Sequence, residues 1–196
     1  TAKGVAGLDL AALFTGSEGS LGVIVEITLG LTPALPAPVT GVGIFPDTEA
    51  AGATVSAFMA AGAAPSMLEF LDGATMAMIN AYGDFGLPAD AGALLLVQSD
   101  APGDDGAAEL ARFAETATAH GATEGVVSDD PADSDLLVAA RRAVAPAMEQ
   151  YATGIGGGEL IDDVCVPRSR LGEFFRRLRL IDEKYDVEVA TAGHAG

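Results

Sequence analysis

A chain of 196 residues holds one good-sized domain, or one domain and a piece of another. Hydrophobic residues make up 49% and the formal net charge is −18, which sets nucleic acid and anionic lipid aside as charge-driven partners. The single cysteine, Cys165, excludes an intrachain disulfide and fits a reducing compartment, and no run reaches the roughly 18 uninterrupted apolar residues of a membrane helix.

The chain opens on Thr1 with no initiator methionine, which suggests a cut start. A lone Lys3 and an apolar stretch broken by Asp9 do not make a signal peptide. Residues 16–22, GSEGSLG, form a glycine-rich turn. Residues 23–29 follow as an alternating β-branched run that predicts a strand. Pro33, Pro36 and Pro38 then disfavour helix and central strand, so a domain boundary is expected there.

Beyond the prolines, strand and helix patterns alternate. Residues 40–45 predict a strand. Asp47 caps a helix to about Ala61, ended by Gly62. Residues 66–72 predict a strand, 73–81 a helix, and 94–97 an apolar strand buried on both faces. An Ala-rich helix starts at Asp104 or Asp105 and ends near Gly121, before a strand over 124–128. Residues 131–151 predict a helix interrupted or kinked at Pro146. Residues 160–166 predict a strand with Cys165 buried on it. Pro167 opens a helix whose Leu171, Phe174, Phe175, Leu178 and Ile181 form one apolar stripe. Residues 187–190 predict a last strand. Such alternation fits a parallel α/β sheet or a ferredoxin-like α+β sheet, and periodicity does not choose. No Gly-x-Gly-x-x-Gly turn supports a Rossmann unit.

Several residues carry candidate chemistry. The 16–22 turn allows close backbone approach to a phosphate, although an ordinary tight turn explains its composition as well. Arg141 and Arg142 point about 100° apart on a helix, so only one of them faces a given ligand. Arginine is the natural clamp for a carboxylate. Glu159, Asp162 and Asp163 flank the 160–166 strand and read as exposed acids. Six of the ten basic residues fall between Arg168 and Lys184, and read as a solvated helix face. His120 sits near a helix end at the surface. His194, between small neighbours after a strand, suits metal ligation or acid–base work, but one histidine makes no metal site.

Taken together these segments resemble the FAD-linked oxidase family, in its glycolate oxidase D-subunit and D-lactate dehydrogenase branch. Residues 3–33, with DLAALFTGSEGSLGVI, look like the end of the flavin-binding domain of vanillyl-alcohol-oxidase-type flavoproteins. LLVAARRAVAPAM, DDVCVPRSRLGEFF and the terminal GHAG resemble the family's C-terminal substrate domain. The resemblance implies an α+β fold: a ferredoxin-like domain over 34–196 with an antiparallel sheet and helices on one side, preceded by the last strands of a flavin domain over 1–33. It implies FAD beside Gly16, Ser17, Glu18, Gly22 and Ile24. It gives Arg141 the substrate carboxylate, and makes His194 a catalytic residue and ligand to a divalent metal (zinc, manganese or iron).

The implied activity is oxidation of a small D-2-hydroxy acid, glycolate or D-lactate, by hydride transfer to FAD. Electrons would pass to a quinone, a cytochrome or a partner subunit. A cytoplasmic protein with no membrane span is expected, peripheral membrane association and a homo-oligomer both being compatible with the resemblance. The remaining metal motif, Asp-Gly-Asn-x-His, would lie after Gly196, so this piece is expected to be inactive alone. Two rival readings are a non-catalytic ferredoxin-like module for ligand binding or oligomerisation, and a metal hydrolase built on Glu159, Asp163 and His194.

Overall fold

The computed structural model describes residues 7–128, 130–185 and 187–196. Lys3 and the first part of the 3–33 segment lie outside the described residues. The chain divides into two compact units, Thr1–Ala34 and Leu35–Gly196.

In the first unit the only described regular element is helix α1 (Leu10–Phe14), capped by Asp9, whose Oδ1 accepts from the Ala12 amide at 3.0 Å. The strand expected over 23–29 does not form, and Val23, Val25, Ile27 and Leu29 are exposed. The alternation is real, but a strand needs a neighbour to take its backbone hydrogen bonds, and the described residues of this unit supply none.

The second unit is built on a five-stranded sheet of order β4-β1-β3-β2-β5, antiparallel throughout. Its strands are β1 (Val39–Phe45), β2 (Met67–Asp72), β3 (Ala93–Ser99), β4 (Glu124–Ser128) and β5 (Ala192–His194). The first four, with helices α2 (Thr48–Ala60) and α4 (Asp105–Ala119), make two interlocked split β-α-β units, the ferredoxin-like arrangement. Helix α3 (Gly73–Tyr82) lies between β2 and β3 in sequence. The later helices are α5 (Pro131–Arg142), α6 (Val144–Gly154) and α7 (Leu171–Tyr185).

Helices cover both faces of the sheet, not one. On the first face Phe70, Leu95 and Val97 meet Val55 and Phe58 of α2, Leu110 and Phe113 of α4, and Phe175 of α7. Phe70 and Phe175 stack with ring centroids 4.2 Å apart. On the second face Leu71, Leu94 and Leu96 meet Met76 and Ile79 of α3, with Ala140 of α5, Val144 of α6 and Ala143 between them. The continuous apolar run of β3 explains this, since each face then carries a stripe that water must leave.

Local chemistry sets the element ends. Asp47 Oδ1 accepts from the Ala50 amide at 2.8 Å to start α2, and Gly62 (φ +84°) takes the left-handed turn after it. The helix expected over 131–151 is interrupted into two helices that meet at Ala143, three residues before Pro146. Pro146 has no amide hydrogen for the Arg142 carbonyl and its ring crowds that carbonyl, so the first helix stops there and Pro146 occupies the next helix's first turn. Residues 160–166 form no strand and Cys165 is exposed. The last strand falls at Ala192–His194 rather than 187–190, because its amides pair with β2 from that point. Of the α7 stripe, Leu171, Phe174, Phe175 and Leu178 pack on the core while Ile181 is exposed.

Polar groups lock helices to the sheet. Gln98 Nε2 on β3 donates to Thr40 Oγ1 of β1 at 3.1 Å and to Ser134 Oγ of α5 at 2.7 Å, all three residues being buried. This network seats α5 across the second face. Gly52 of α2 lies so close to α7 that an added Cβ would come within 2.8 Å of the Gly172 nitrogen. Gly52→Ala is therefore expected to destabilise the domain by about 1–3 kcal/mol of overpacking, more than the roughly 1 kcal/mol of helix propensity gained. Urea unfolding at one pH measures the difference.

Asp72 ties β2 to two later segments. Its Oδ1 accepts from the Thr75 amide at 2.8 Å, capping α3, and its Oδ2 accepts from the Thr191 amide at 2.7 Å, just before β5. Burial raises its pKa above the ordinary carboxylate range, opposed by the hydrogen bonds from Thr75 and Thr191. Asp72→Ala should cost about 1–3 kcal/mol of unfolding free energy. A raised folded-state pKa means that the folded chain holds its proton longer than the unfolded one. The contribution of Asp72 is then fully present below its unfolded value, near 3.8, and declines as pH rises through the folded value. The gap between wild type and variant, measured by urea titration over this range, should narrow with rising pH.

Candidate functional site

Glu69 is the acid in the middle of the apolar strand β2, MLEFLD, whose other acid, Asp72, ends it. Leu68 and Phe70 point to the first face of the sheet, so Glu69 points with Leu71 to the second. Its side chain is only 4% exposed. A carboxylate in such a place must be paired, and both of its oxygens are. Oε2 accepts from Arg141 Nε at 2.5 Å, and Oε1 pairs with His194 Nδ1.

Different elements deliver the two partners. Arg141 lies in the last turn of α5, beside the buried Ala140 and Ala143, and its side chain is 26% exposed. Arg142, one position on, is exposed, as the angular offset of adjacent helix residues requires. His194 arrives on β5. The ladder places it directly opposite Glu69, and the next residue anchors it: Ala195 is buried in the first-face core and its amide donates to the Leu68 carbonyl at 2.8 Å. The imidazole itself is open, its side chain 83% exposed.

The sequence-predicted pair Arg141 and His194 thus meets on one carboxylate that sequence reasoning did not single out. A usable signal was present. A glutamate whose strand neighbours are Leu and Phe on both sides breaks the apolar pattern where a charge is costly. The other candidates stay apart from this cluster. Glu159, Asp162 and Asp163 are exposed, and among the described residues no three His, Cys, Asp or Glu side chains gather to hold a metal ion. The hydrolase reading has no site on that ground. His194 offers a metal one nitrogen, short of the roughly three protein ligands a catalytic zinc takes, so these residues do not by themselves fit a metal. His120 is half-buried, its Nδ1 2.9 Å from the Thr116 carbonyl oxygen.

In the first unit, Gly16 and Gly19 both have φ +79°, and Glu18 between them has φ 49°, a left-handed conformation uncommon for a residue with a side chain. No heavy atom lies within 4 Å of where a Cβ would stand at Gly16 or Gly19. Backbone so open fits close approach by a flavin or its phosphates. Ser17 and Gly22 are half-buried and Ile24 is exposed. A cavity of about 250 Å³ lies elsewhere, lined by Asp47, Asp72, Phe175, Arg179 and Thr191 among others, and contains neither Arg141 nor His194. We place the candidate site at Glu69, where charged groups converge. Among the described residues no helix is long and apolar enough to cross a membrane.

Comparison with known proteins agrees with this architecture. The family of FAD linked oxidases, C-terminal domain, matches residues 36–196. The glycolate oxidase subunit GlcD of Bacillus subtilis is 33% identical over 195 residues, spanning 100% of this chain and 41% of that protein. GlcD of Escherichia coli K12 is 32% identical, over 97% of this chain and 37% of that protein. A D-lactate dehydrogenase of Anaerostipes hadrus is 30% identical, over 99% of this chain and 42% of that protein. The chain thus spans about two fifths of these relatives' length. With a matched segment that takes in the whole sheet and all three residues of the Glu69 cluster, the chain belongs to the FAD-linked oxidase C-terminal domain family.

Proposed function

We propose that the protein containing this chain is an FAD-dependent dehydrogenase or oxidase of a small D-2-hydroxy acid, of the glycolate or D-lactate type. The observation that carries this reading is the meeting of Arg141 and His194 on the buried Glu69 carboxylate. Arg141 spends its Nε on Glu69, which leaves its two terminal nitrogens for a substrate carboxylate. His194 spends Nδ1 on the same group, which leaves Nε2 to take the proton of the substrate's hydroxyl. FAD, when bound, would supply the acceptor for a hydride from the substrate α-carbon, and the product would be the 2-oxo acid. A quinone, a cytochrome or a partner subunit would be the final electron acceptor. The names of the relatives, glycolate oxidase and D-lactate dehydrogenase, support this substrate class.

Residues 1–33 are, on this reading, the end of the flavin-binding domain, and 34–196 the substrate domain. The division of the chain between Ala34 and Leu35 supports that boundary. Gly16, Ser17, Glu18, Gly22 and Ile24 would neighbour the flavin, largely through backbone.

Arg141→Ala in the full-length protein tests the reading. Loss of the carboxylate clamp should cost about 2–4 kcal/mol of transition-state binding, or about 30- to 1000-fold in kcat/KM for glycolate or D-lactate. Arg142→Ala should change it little. Retained flavin absorbance shows that the variant is intact. An unchanged kcat/KM in a flavin-loaded Arg141→Ala protein refutes the assignment.

A further inference from the structure

Strand β5 has little of its own to fix its register. The run from Thr191 reads Thr-Ala-Gly-His-Ala-Gly, and only Ala195 in it is buried. The ladder with β2 is three residues long, and a strand of small, Gly-rich residues slips easily. A slip of one residue would turn the imidazole from the second face of the sheet to the first. A slip of two would carry it past Glu69 along β2. Something outside the strand has to set the alignment.

The corner between β2 and α3 supplies it. The Asp72 amide donates to the Thr191 carbonyl at 3.0 Å, which continues the ladder by one pair. The return bond goes to a side chain: the Thr191 amide donates to Asp72 Oδ2 at 2.7 Å. Asp72 is also the N-cap of α3, and its other oxygen is fixed by the Thr75 amide at 2.8 Å. Thr75 Oγ1 in turn donates to the Thr191 carbonyl at 3.1 Å. Thr191 is thus held by three hydrogen bonds from one corner. That corner is itself anchored, since Asp72 and Thr75 are buried and Met76 and Ile79 of α3 belong to the second-face core.

We propose that Asp72 and Thr75 are positioning residues, a register clamp through which the start of α3 sets His194 opposite Glu69. The count is the same on both strands: three residues forward from Thr191 lies His194, and three back from Asp72 lies Glu69. The clamp acts on β5 alone. Arg141 is seated separately, by Ser134 of α5 on Gln98 and Thr40. The two groups that converge on Glu69 are therefore aligned by independent devices, one at each end of the second-face core. The inference rests on the functional reading above, in which His194 and Arg141 face the substrate.

Asp72→Asn in the full-length protein tests the clamp. Asparagine still caps a helix well, but it has one oxygen for two amides, and its NH₂ group cannot accept from Thr191. For glycolate or D-lactate oxidation, kcat per bound flavin should fall about 10- to 100-fold, since a misplacement of about 1 Å suffices for the larger loss. KM should change far less, because the clamp does not touch Arg141. Thr75→Val keeps the α3 cap and loses only the bond to the Thr191 carbonyl, so it should lower kcat about 5-fold. A role in stability alone gives another result: less flavin-loaded protein, with each bound flavin turning over at the wild-type rate. That result overturns the proposal, as does a loss confined to KM. In a crystal structure of flavin-loaded Asp72→Asn, His194 should be displaced from Glu69, and an unaltered pairing of the two overturns the proposal as well. If Asp72→Asn does not fold, Thr75→Val decides, and an unchanged kcat per flavin there refutes the clamp. Failure of the functional reading looks different: Arg141→Ala then leaves kcat/KM unaltered.

Discussion

A carboxylate in the middle of a buried strand is the constraint on which this domain turns. Glu69 sits where each neighbour along β2 is apolar, and leaving its charge unpaired there would cost several kcal/mol. The fold answers with two partners that come from opposite sides. The end of α5 reaches over the sheet face, and β5 runs along the sheet edge. Each is then fastened independently, α5 by the Thr40–Gln98–Ser134 network and β5 by its ladder and the burial of Ala195. A buried ion pair seldom adds net stability, so its presence is better explained by what it orients.

Much of the regular structure is legible in the residues themselves. Asp47 and Gly62 bracket α2, the leucines of β3 announce a strand with two dry faces, and the split β-α-β order follows from elements of suitable length. The misreadings share one cause. Residues 23–29 and 160–166 have strand character, yet strand formation is a property of pairs, and the partner cannot be read from the run itself. The break at Ala143 could have been located, since a proline acts on the carbonyl four residues back. At the site, Arg141 and His194 were legible through a family resemblance and not through spacing. Glu69 was passed over because a single glutamate in a strand is usually taken for an edge or a solvent-facing position, and its depth emerges only when helices cover the second face.

The arginines of the domain show how environment separates one cation from another. Arg170, just before α7, and Arg177 on it flank Glu173 and hold its carboxyl below the usual range, and Arg179 reaches Glu49 on α2. These pairs are largely exposed and contribute little each. They are the solvated face that an acidic protein with clustered basic residues was expected to have. Arg141, with the same guanidinium, lies against a carboxylate shielded from water, and so it holds a defined direction.

The three-residue strand β5 has a consequence in time as well as in space. It closes on β2 from far along the chain, and contacts of such long sequence separation form late, after the entropy of the intervening loop has been lost. It is also the shortest ladder in the sheet, at an edge, so it should open at lower free energy than β1 and β3 in the centre. Each such excursion withdraws His194 and leaves Arg141 on Glu69. The cluster therefore has two wiring states of unequal lifetime, and amide exchange at Ala195, whose hydrogen bond to Leu68 marks the closed one, would count the excursions.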